Sequence, residues 1–303
     1  MGEIRFDQKV AVVTGAGGGL GKAYALLLAS RGARVVVNDL GGSFDSSGSD
    51  STPAQKVVDE IKEHGGEAVA NYDSVAEWES AQNIIKTAVD SYGRVDILIN
   101  NAGILRDKSL VKMEMEDYRK IMAVHLDGTF YCTKAAFPIM KEQAYGRIVS
   151  TASAAGLYGN FGQVNYGAAK LGIVGMMNCV AQEGARYNIK ANTIVPTAGT
   201  RLTFTVMPED VIGKVKPEYV APIVGWLCSE NCEETGKMFS AGGGYFSRAA
   251  IMEGPGVVFD IKKEITMEMI VDKLDQIMNL EGAREFASAM EQAGTVLSKM
   301  GES

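Results

Sequence analysis

Within the stretch SAAGLYGNFGQVNYGAAK, residues 153–170, a serine, a tyrosine and a lysine stand at spacings that suit proton transfer. Tyr166 and Lys170 are four positions apart. On a helix that spacing brings both side chains to one face, with Cβ atoms roughly 5–6 Å apart. A phenol titrates near ~10. A fixed ammonium beside it favours the phenolate and makes the group a usable proton donor and acceptor closer to neutrality. Ser153 falls just after the predicted strand Gly146–Thr151, and a hydroxyl at the C-terminal end of a parallel strand can point into a ligand cleft. The chain has 11 tyrosines, so one Tyr-x-x-x-Lys pair is expected by chance. The weight of the trio therefore depends on what the rest of the chain builds around it.

KVAVVTG, residues 9–15, is a short β-branched apolar run ending in glycine, the pattern of a strand buried on both faces. AGGGLGKAYALLLASRG follows it. Gly15, Gly19 and Gly21 let a tight turn pass close to a ligand, and the helix starting there aims unpaired N–H groups at a pyrophosphate. The spacing differs from the common Gly-x-Gly-x-x-Gly fingerprint, and a purely structural turn is the alternative. The second strand, RVVVNDLGG, carries Asp39 at its end. A carboxylate there accepts hydrogen bonds from ribose hydroxyls and repels a 2′-phosphate. No arginine or lysine stands in the turn or just after Asp39, which predicts NAD over NADP; a capping role is the bland alternative.

A helix over 54–66 leads to a third strand, EAVANYDSV, and Asp73 after it either holds the adenine amino group or caps the helix that follows to Tyr92. RVDILINNAG, residues 94–103, is the fourth strand. Its two asparagines either tie neighbouring strands together or border the ribose and phosphates. Residues 116–143 show helical apolar spacing at Tyr118, Ile121, Met122, Leu126, Phe130 and Tyr131, and read as one long helix. His125 interrupts that face, either as a satisfied buried polar group or as part of the chemistry. The helix carrying Tyr166 runs to about Arg186, and NIKANTIVP is the sixth strand, ending at Pro196. Six alternating strand and helix units predict an α/β doubly wound parallel sheet.

The polar loop 43–53 carries no readable function, and residues 197–210 read as a mobile substrate flap. A helix over 216–230 and a last core strand with a glycine bend, GKMFSAGGGYF, close the sheet. From about Ile251 the composition changes to two charged amphipathic helical patterns over 262–280 and 282–300 without chemical motifs. The expected organisation is a dinucleotide-binding domain over 1–250 and a helical extension or linker over 251–303.

A chain of 303 residues with 46% hydrophobic content buries a full core. A net charge of −7 argues against a general nucleic-acid or anionic-membrane binder. Cys132, Cys179, Cys228 and Cys232 form no Cys-x-x-Cys pair and only two histidines occur, so no metal site is expected and the thiols read as reduced and buried. The N-terminus has no apolar signal segment and no run is long enough to span a bilayer, so the chain reads as soluble and intracellular. The final Gly-Glu-Ser is not a peroxisomal address.

TGAGGGLG, NNAG, Ser153 and YGAAK, in this order, resemble the short-chain dehydrogenase/reductase family over about residues 5–245. NDLGG, ANYDSV, HLDGTF, GLYGNFGQVNYGAAK, TVMPED and KPEYVAPIVGWLCSE are similar to one branch of it, the (3R)-hydroxyacyl-CoA dehydrogenase units of peroxisomal multifunctional β-oxidation enzymes. The resemblance implies NAD-dependent oxidation of (3R)-3-hydroxyacyl-CoA to 3-oxoacyl-CoA, with 17β-hydroxysteroid oxidation as a side activity. It implies a homodimer, an acyl-CoA substrate, linked hydratase or sterol-carrier-like domains, and a peroxisomal location.

By position it implies that Ser153 holds the substrate oxygen, Tyr166 exchanges its proton, and Lys170 lowers the tyrosine pKa while holding the nicotinamide ribose. The cofactor side is then Gly15, Gly19, Leu20, Gly21, Asp39, Asp73, Ser74, Asn101, Ala102, Gly103 and Pro196, with Tyr166 and Lys170. The family usually has an asparagine where this chain has His125, which puts an asparagine-and-water proton relay in question. Two rivals remain at this level. A 3-oxoacyl-carrier-protein reductase would be expected to carry a basic residue near Asp39, and a non-catalytic nucleotide-binding module would be expected to have lost part of the trio.

Overall fold

The apolar runs form strands whose alternate residues feed two separate cores. In β1 (Val10–Thr14) every residue is buried. Ala11 and Val13 join one cluster, Val10 and Val12 the other. A strand covered on both faces needs no polar alternation, which is why these segments read as continuous β-branched runs. β2 (Arg34–Asn38), β3 (Glu67–Asn71), β4 (Ile97–Asn100), β5 (Gly146–Thr151), β6 (Ile189–Pro196), β7 (Met238–Gly242) and β8 (Tyr245–Ala249) complete one sheet. Its order is β3-β2-β1-β4-β5-β6-β7-β8. This is a computed structural model, and it describes residues 2–41, 52–199 and 213–301.

β1 to β7 pair in parallel, so the expected doubly wound α/β sheet is borne out. The order reverses between β1 and β4, the point where such sheets hold ligands beyond their C-terminal strand ends. Register lines up the ends on that edge. Thr14 lies beside Asn38, Asn38 beside Asn71, Asn100 beside Ser150, and Pro196 beside Ala241.

α1 (Gly19–Ser30), α2 (Thr52–Glu63) and the helix Ala221–Cys228 cover one face, and α3 (Trp78–Tyr92), α5 (Gly128–Gln143) and α7 (Val164–Gly184) the other. Each large aliphatic side chain so buried stabilises the fold by about 1.5–3 kcal/mol.

Three expectations about the elements need correction. The helix expected over 116–143 is divided: α4 (Met115–Met122) gives way to a π-helical stretch, Ala123–Asp127, before α5 begins. Single π turns inside helices are often found at functional sites, and this one carries His125. The last core strand is two strands. Gly243 and Gly244 both adopt positive φ, 58° and 82°, and a two-residue turn of that hand reverses the chain into a β7–β8 hairpin.

The third correction concerns the C-terminal patterns, which are shorter as helices than their periodicity predicts. Contacts divide the chain into Met1–Arg248 and Ala249–Ser303. The second unit holds the helices Met267–Asp272, Leu274–Met278 and Ala289–Gly301. Lys273 breaks the first pattern with φ of −107°. An isolated antiparallel bridge between Glu253 and Arg284 takes up the start of the second. None of the described residues of this unit is buried.

Cys132, Cys228 and Cys232 are buried free thiols, whereas Cys179 is exposed, against expectation. No helix of the described residues is long and apolar enough to cross a membrane. Most of the polar loop 43–53 and of the flap 197–210 lies outside the described residues.

Candidate active site

The chain leaves β1 through a turn in which Gly15 and Gly19 take positive φ, 63° and 53°. A Cβ on Gly15 would meet Ala102 Cα at 2.7 Å, and one on Gly21 would meet Gly15 O at 2.3 Å. Glycine is therefore required by close packing of turn, helix and β4 end, not by backbone angle alone. Gly18 at the N-cap of α1 provides no side-chain cap, and the first turn holds no acidic residue. The leading N–H groups of α1 are thus suited to an anion, and the residues present fit a pyrophosphate. Leu20, next in the turn, packs partly on the core.

Asp39 follows β2 and is held from two sides. Gly17 N donates to its Oδ2 at 2.8 Å and Gly41 N to its Oδ1 at 2.7 Å. Asp73 after β3 is fixed by Asn71, whose Nδ2 donates to Asp73 Oδ2 at 2.8 Å, while Asn38 Nδ2 donates to Asp73 O at 2.9 Å. The capping alternative for Asp73 falls away, since Glu77 occupies the N-cap of α3. Ser74 Oγ accepts from Ala76 N at 3.2 Å.

Asn101 ties β4 to the turn: its Nδ2 donates to Thr14 O and Gly15 O at 3.0 and 3.1 Å. Thr14 Oγ1 in return accepts from the N–H groups of Asn101 and Ala102. Pro196 closes β6 on the same edge.

Ser153 is the N-cap of α6 (Ala154–Tyr158), a short helix between β5 and α7. Its Oγ accepts from Ala155 N at 3.2 Å, and the hydroxyl is near enough to the Tyr166 phenol to lower its titration. Tyr166 and Lys170 share a face of α7 as their spacing requires, with Lys170 Nζ 5.5 Å from the Tyr166 ring centre. Lys170 is 3% exposed and donates to Thr151 O at 2.6 Å. The three residues of the opening stretch thus meet at the C-terminal end of β5.

Their electrostatics differ from expectation. Burial pushes the Tyr166 phenol up to about 12, and the nearby Ser153 hydroxyl pulls against that rise. Burial also brings Lys170 down to about 7. In this structure desolvation, not the lysine charge, sets the phenol, because taking either charged form out of water costs more than their mutual attraction returns.

His125 is 2% exposed and lies edge-on to Tyr166, with ring centres 5.2 Å apart. Its Nε2 is 2.8 Å from Ile104 O. Ile104 N also approaches that nitrogen, donating at 3.1 Å, so the two contacts call for opposite tautomers. Nδ1 is buried without a partner among the described residues, as is Thr151 Oγ1. Burial first, then the nearby Lys170 charge, takes the imidazole down to about 3, so it stays neutral. Gly103 makes room for it: a Cβ there would stand 2.5 Å from His125 Cε1.

Two residues went unnoticed in the sequence. Asn165 is fully buried, accepts from Tyr166 N at 2.8 Å and donates to Arg106 O at 3.1 Å. Gln163 reaches Asp107. Neither pairing has a periodic signature, because each joins segments more than fifty residues apart.

The model of the family described as short chain dehydrogenase matches residues 9–209. The chain belongs to the short-chain dehydrogenase family. This short-chain dehydrogenase is 48% identical over 298 residues to the peroxisomal multifunctional enzyme type 2 of Drosophila melanogaster, covering 98% of this chain and 49% of that one. The chain spans about half the length of that relative.

It is 50% identical over 278 residues to a short-chain type dehydrogenase/reductase of Mycobacterium tuberculosis, covering 92% of this chain and 96% of the relative. The solved full-length fly enzyme superimposes with a TM-score of 0.84 at 42% identity, over 99% of this chain and 50% of that chain. A 7α-hydroxysteroid dehydrogenase solved with NADH and 7-oxo glycochenodeoxycholic acid superimposes at 0.71 with 28% identity, over 79% of this chain and 95% of that one.

Proposed function

We propose that this short-chain dehydrogenase oxidises (3R)-3-hydroxyacyl-CoA to 3-oxoacyl-CoA with NAD, as a step of fatty-acid β-oxidation. The observation that carries the reading is Tyr166 and Lys170 on one face of α7, with Ser153 just past the end of β5, on the same strand edge that presents Asp39. Ser153 holds the substrate oxygen, first as hydroxyl and then as carbonyl. Tyr166 takes the hydroxyl proton, and Lys170, fixed on Thr151 O, lies close enough to stabilise the charge that develops. When bound, the nicotinamide supplies the hydride acceptor. Gly15, Gly19, Leu20 and Gly21 would hold the pyrophosphate of NAD, Asp39 the adenosine ribose, Asp73 and Ser74 the adenine, and Asn101, Ala102, Gly103 and Pro196 would border the rest.

The fly relative's name supports a peroxisomal setting, and its greater length supports a larger enzyme of which this chain is one part; residues 1–250 are proposed as the dehydrogenase unit. A hydroxysteroid fits the same chemistry, as a secondary alcohol, and the 7α-hydroxysteroid dehydrogenase supports it as a side substrate. A symmetric dimer completes the reading. Val164, Leu171 and Phe130 expose apolar side chains along α7 and α5, and self-pairing of one patch is the commonest closed assembly. Sedimentation at micromolar concentration should give a dimer, and monomer alone contradicts it.

Steady-state kinetics with NAD and NADP against (3R)- and (3S)-hydroxyacyl-CoA tests the function. The expected result is turnover of the (3R) isomer with NAD at least about tenfold more efficient, a difference of about 1.4 kcal/mol. Faster (3S) turnover, or preference for NADPH with an acyl carrier protein substrate, overturns it.

A further inference from the structure

After β4 the chain runs over residues 104–108 without regular structure, yet it is tied to both partners of the ring contact at the reacting end. At its start, Ile104 N and Ile104 O both approach His125 Nε2, at 3.1 and 2.8 Å. Two residues on, Arg106 O accepts from Asn165 Nδ2 at 3.1 Å, and Asn165 Oδ1 accepts from Tyr166 N at 2.8 Å. The edge contact between the His125 and Tyr166 rings, with centres 5.2 Å apart, closes the circuit. Tyr166 is the third residue of α7, and a helix leaves its first four N–H groups without an intrahelical partner. The fully buried Asn165 amide supplies one here.

A second anchor holds the segment from α4. Arg106 Nη1 stands 2.8 Å from Asp117 Oδ1, and Lys108 Nζ 2.7 Å from Asp117 Oδ2. Asp117 is 5% exposed, so one buried carboxylate fixes two side chains of the segment. Lys108 N also donates to Gly162 O at 2.9 Å, two residues ahead of α7.

We propose that Asn165 and Asp117 are positioning residues for proton transfer: with residues 104–108 as a splint, they fix the first turn of α7 and so the place of the Tyr166 phenol against His125. This rests on Tyr166 as the proton carrier. Neither residue need touch substrate or cofactor. A misplacement of about 1 Å at a reacting group costs up to about 10²-fold in rate, and a phenol on a helix's first turn moves with that turn. Ile121 of α4 and Ala169 of α7 share an apolar cluster, a route that a change of charge at Asp117 leaves in place. The two routes are therefore separable.

Asn165→Ala and Asp117→Asn should each lower kcat for hydroxyacyl oxidation by about 10- to 100-fold, with KM for NAD held within about twofold. The double variant should lose little more than the worse single one, because residues acting through one path are not additive. Should Asn165→Ala fail to fold, Arg106→Met opens the same splint from a less buried side chain and should lower kcat likewise. Hydrogen exchange of the amides at 164–168 needs no substrate, so it reads the splint even where the hydroxyacyl assignment fails. Asp117→Asn should speed exchange there about tenfold and leave the amides of β1 and β2 as they were.

A variant with native melting whose kcat or first-turn exchange stays at the wild-type value overturns the inference. So does a double variant whose loss is the product of the two single losses. Faster exchange spread evenly over the sheet also overturns it, since that is a general loss of stability and not a turn set free.

Discussion

At the β1–β3 end of the strand edge, each polar group has a neighbour to answer it. Asp39 accepts from two backbone N–H groups, and Asp73 is braced by Asn71 and Asn38. At the β5 end the groups are more deeply buried and less well answered: His125 Nδ1 and Thr151 Oγ1 have no partner among the described residues, and Tyr166 and Lys170 have titrations displaced by burial. A satisfied network fixes shape and charge, which is what selection of a cofactor needs. Buried groups held away from their ordinary ionisation are what proton transfer needs, and such displacement clusters at functional sites. On the proposed function one end recognises and the other reacts, so substitutions should separate binding from rate along this line.

The largest break is expected at the reacting end. Tyr166→Phe removes the proton carrier but keeps the ring against His125, so kcat should fall by roughly 10²–10⁴, the range for general acid–base catalysis. NAD affinity, set at the other end, should stay near wild type. Near-normal kcat at saturating (3R) substrate would remove Tyr166 from its role, and a parallel loss of NAD binding would erase the division between the two ends.

A smaller and opposite effect is expected at the recognising end. Asp39→Asn keeps an acceptor for Gly17 N and removes the charge, so the NAD preference should shrink about tenfold, or about 1.4 kcal/mol, with kcat on NAD little altered. Unchanged discrimination in kcat/KM between NAD and NADP would mean that another group reads the 2′ position.

The same division explains what could be read from sequence. The strands were legible because burial on both faces forces β-branched runs, as VAVVT and RVVVN show. The places of Asp39, Asn101 and Ser153 were legible because each follows the end of such a run. The π turn was not, because AVHLD contains neither proline nor glycine to mark a change of helix. The hairpin was half legible: three consecutive glycines announced a bend, but its hand depends on φ at Gly243 and Gly244. The depressed lysine was invisible, since spacing brings Lys170 to Tyr166 but only packing from β5 and the π turn removes water from both. Asp107 and Gln163 lie 56 positions apart, and no local pattern links them.

His125 gives the finest test, because it belongs to the reacting end yet does not titrate in its working range. Its imidazole falls from 6.5 to about 3 on folding, with burial the main cause. Between those values the unfolded chain binds a proton that the folded chain refuses. Stability must therefore decrease as pH falls through that window, by up to about 1.4 kcal/mol per pH unit for a single proton. His125→Asn has no such proton, so urea unfolding measured from pH 6.5 to 5 should lose stability less steeply than in the wild type. The rising limb of kcat/KM should stay where it was, since a side chain neutral throughout does not create it. Equal slopes in the two proteins would show that His125 is protonated in the fold. The unpartnered Nδ1 would then be a donor, and the reacting end would carry a second charge beside Lys170.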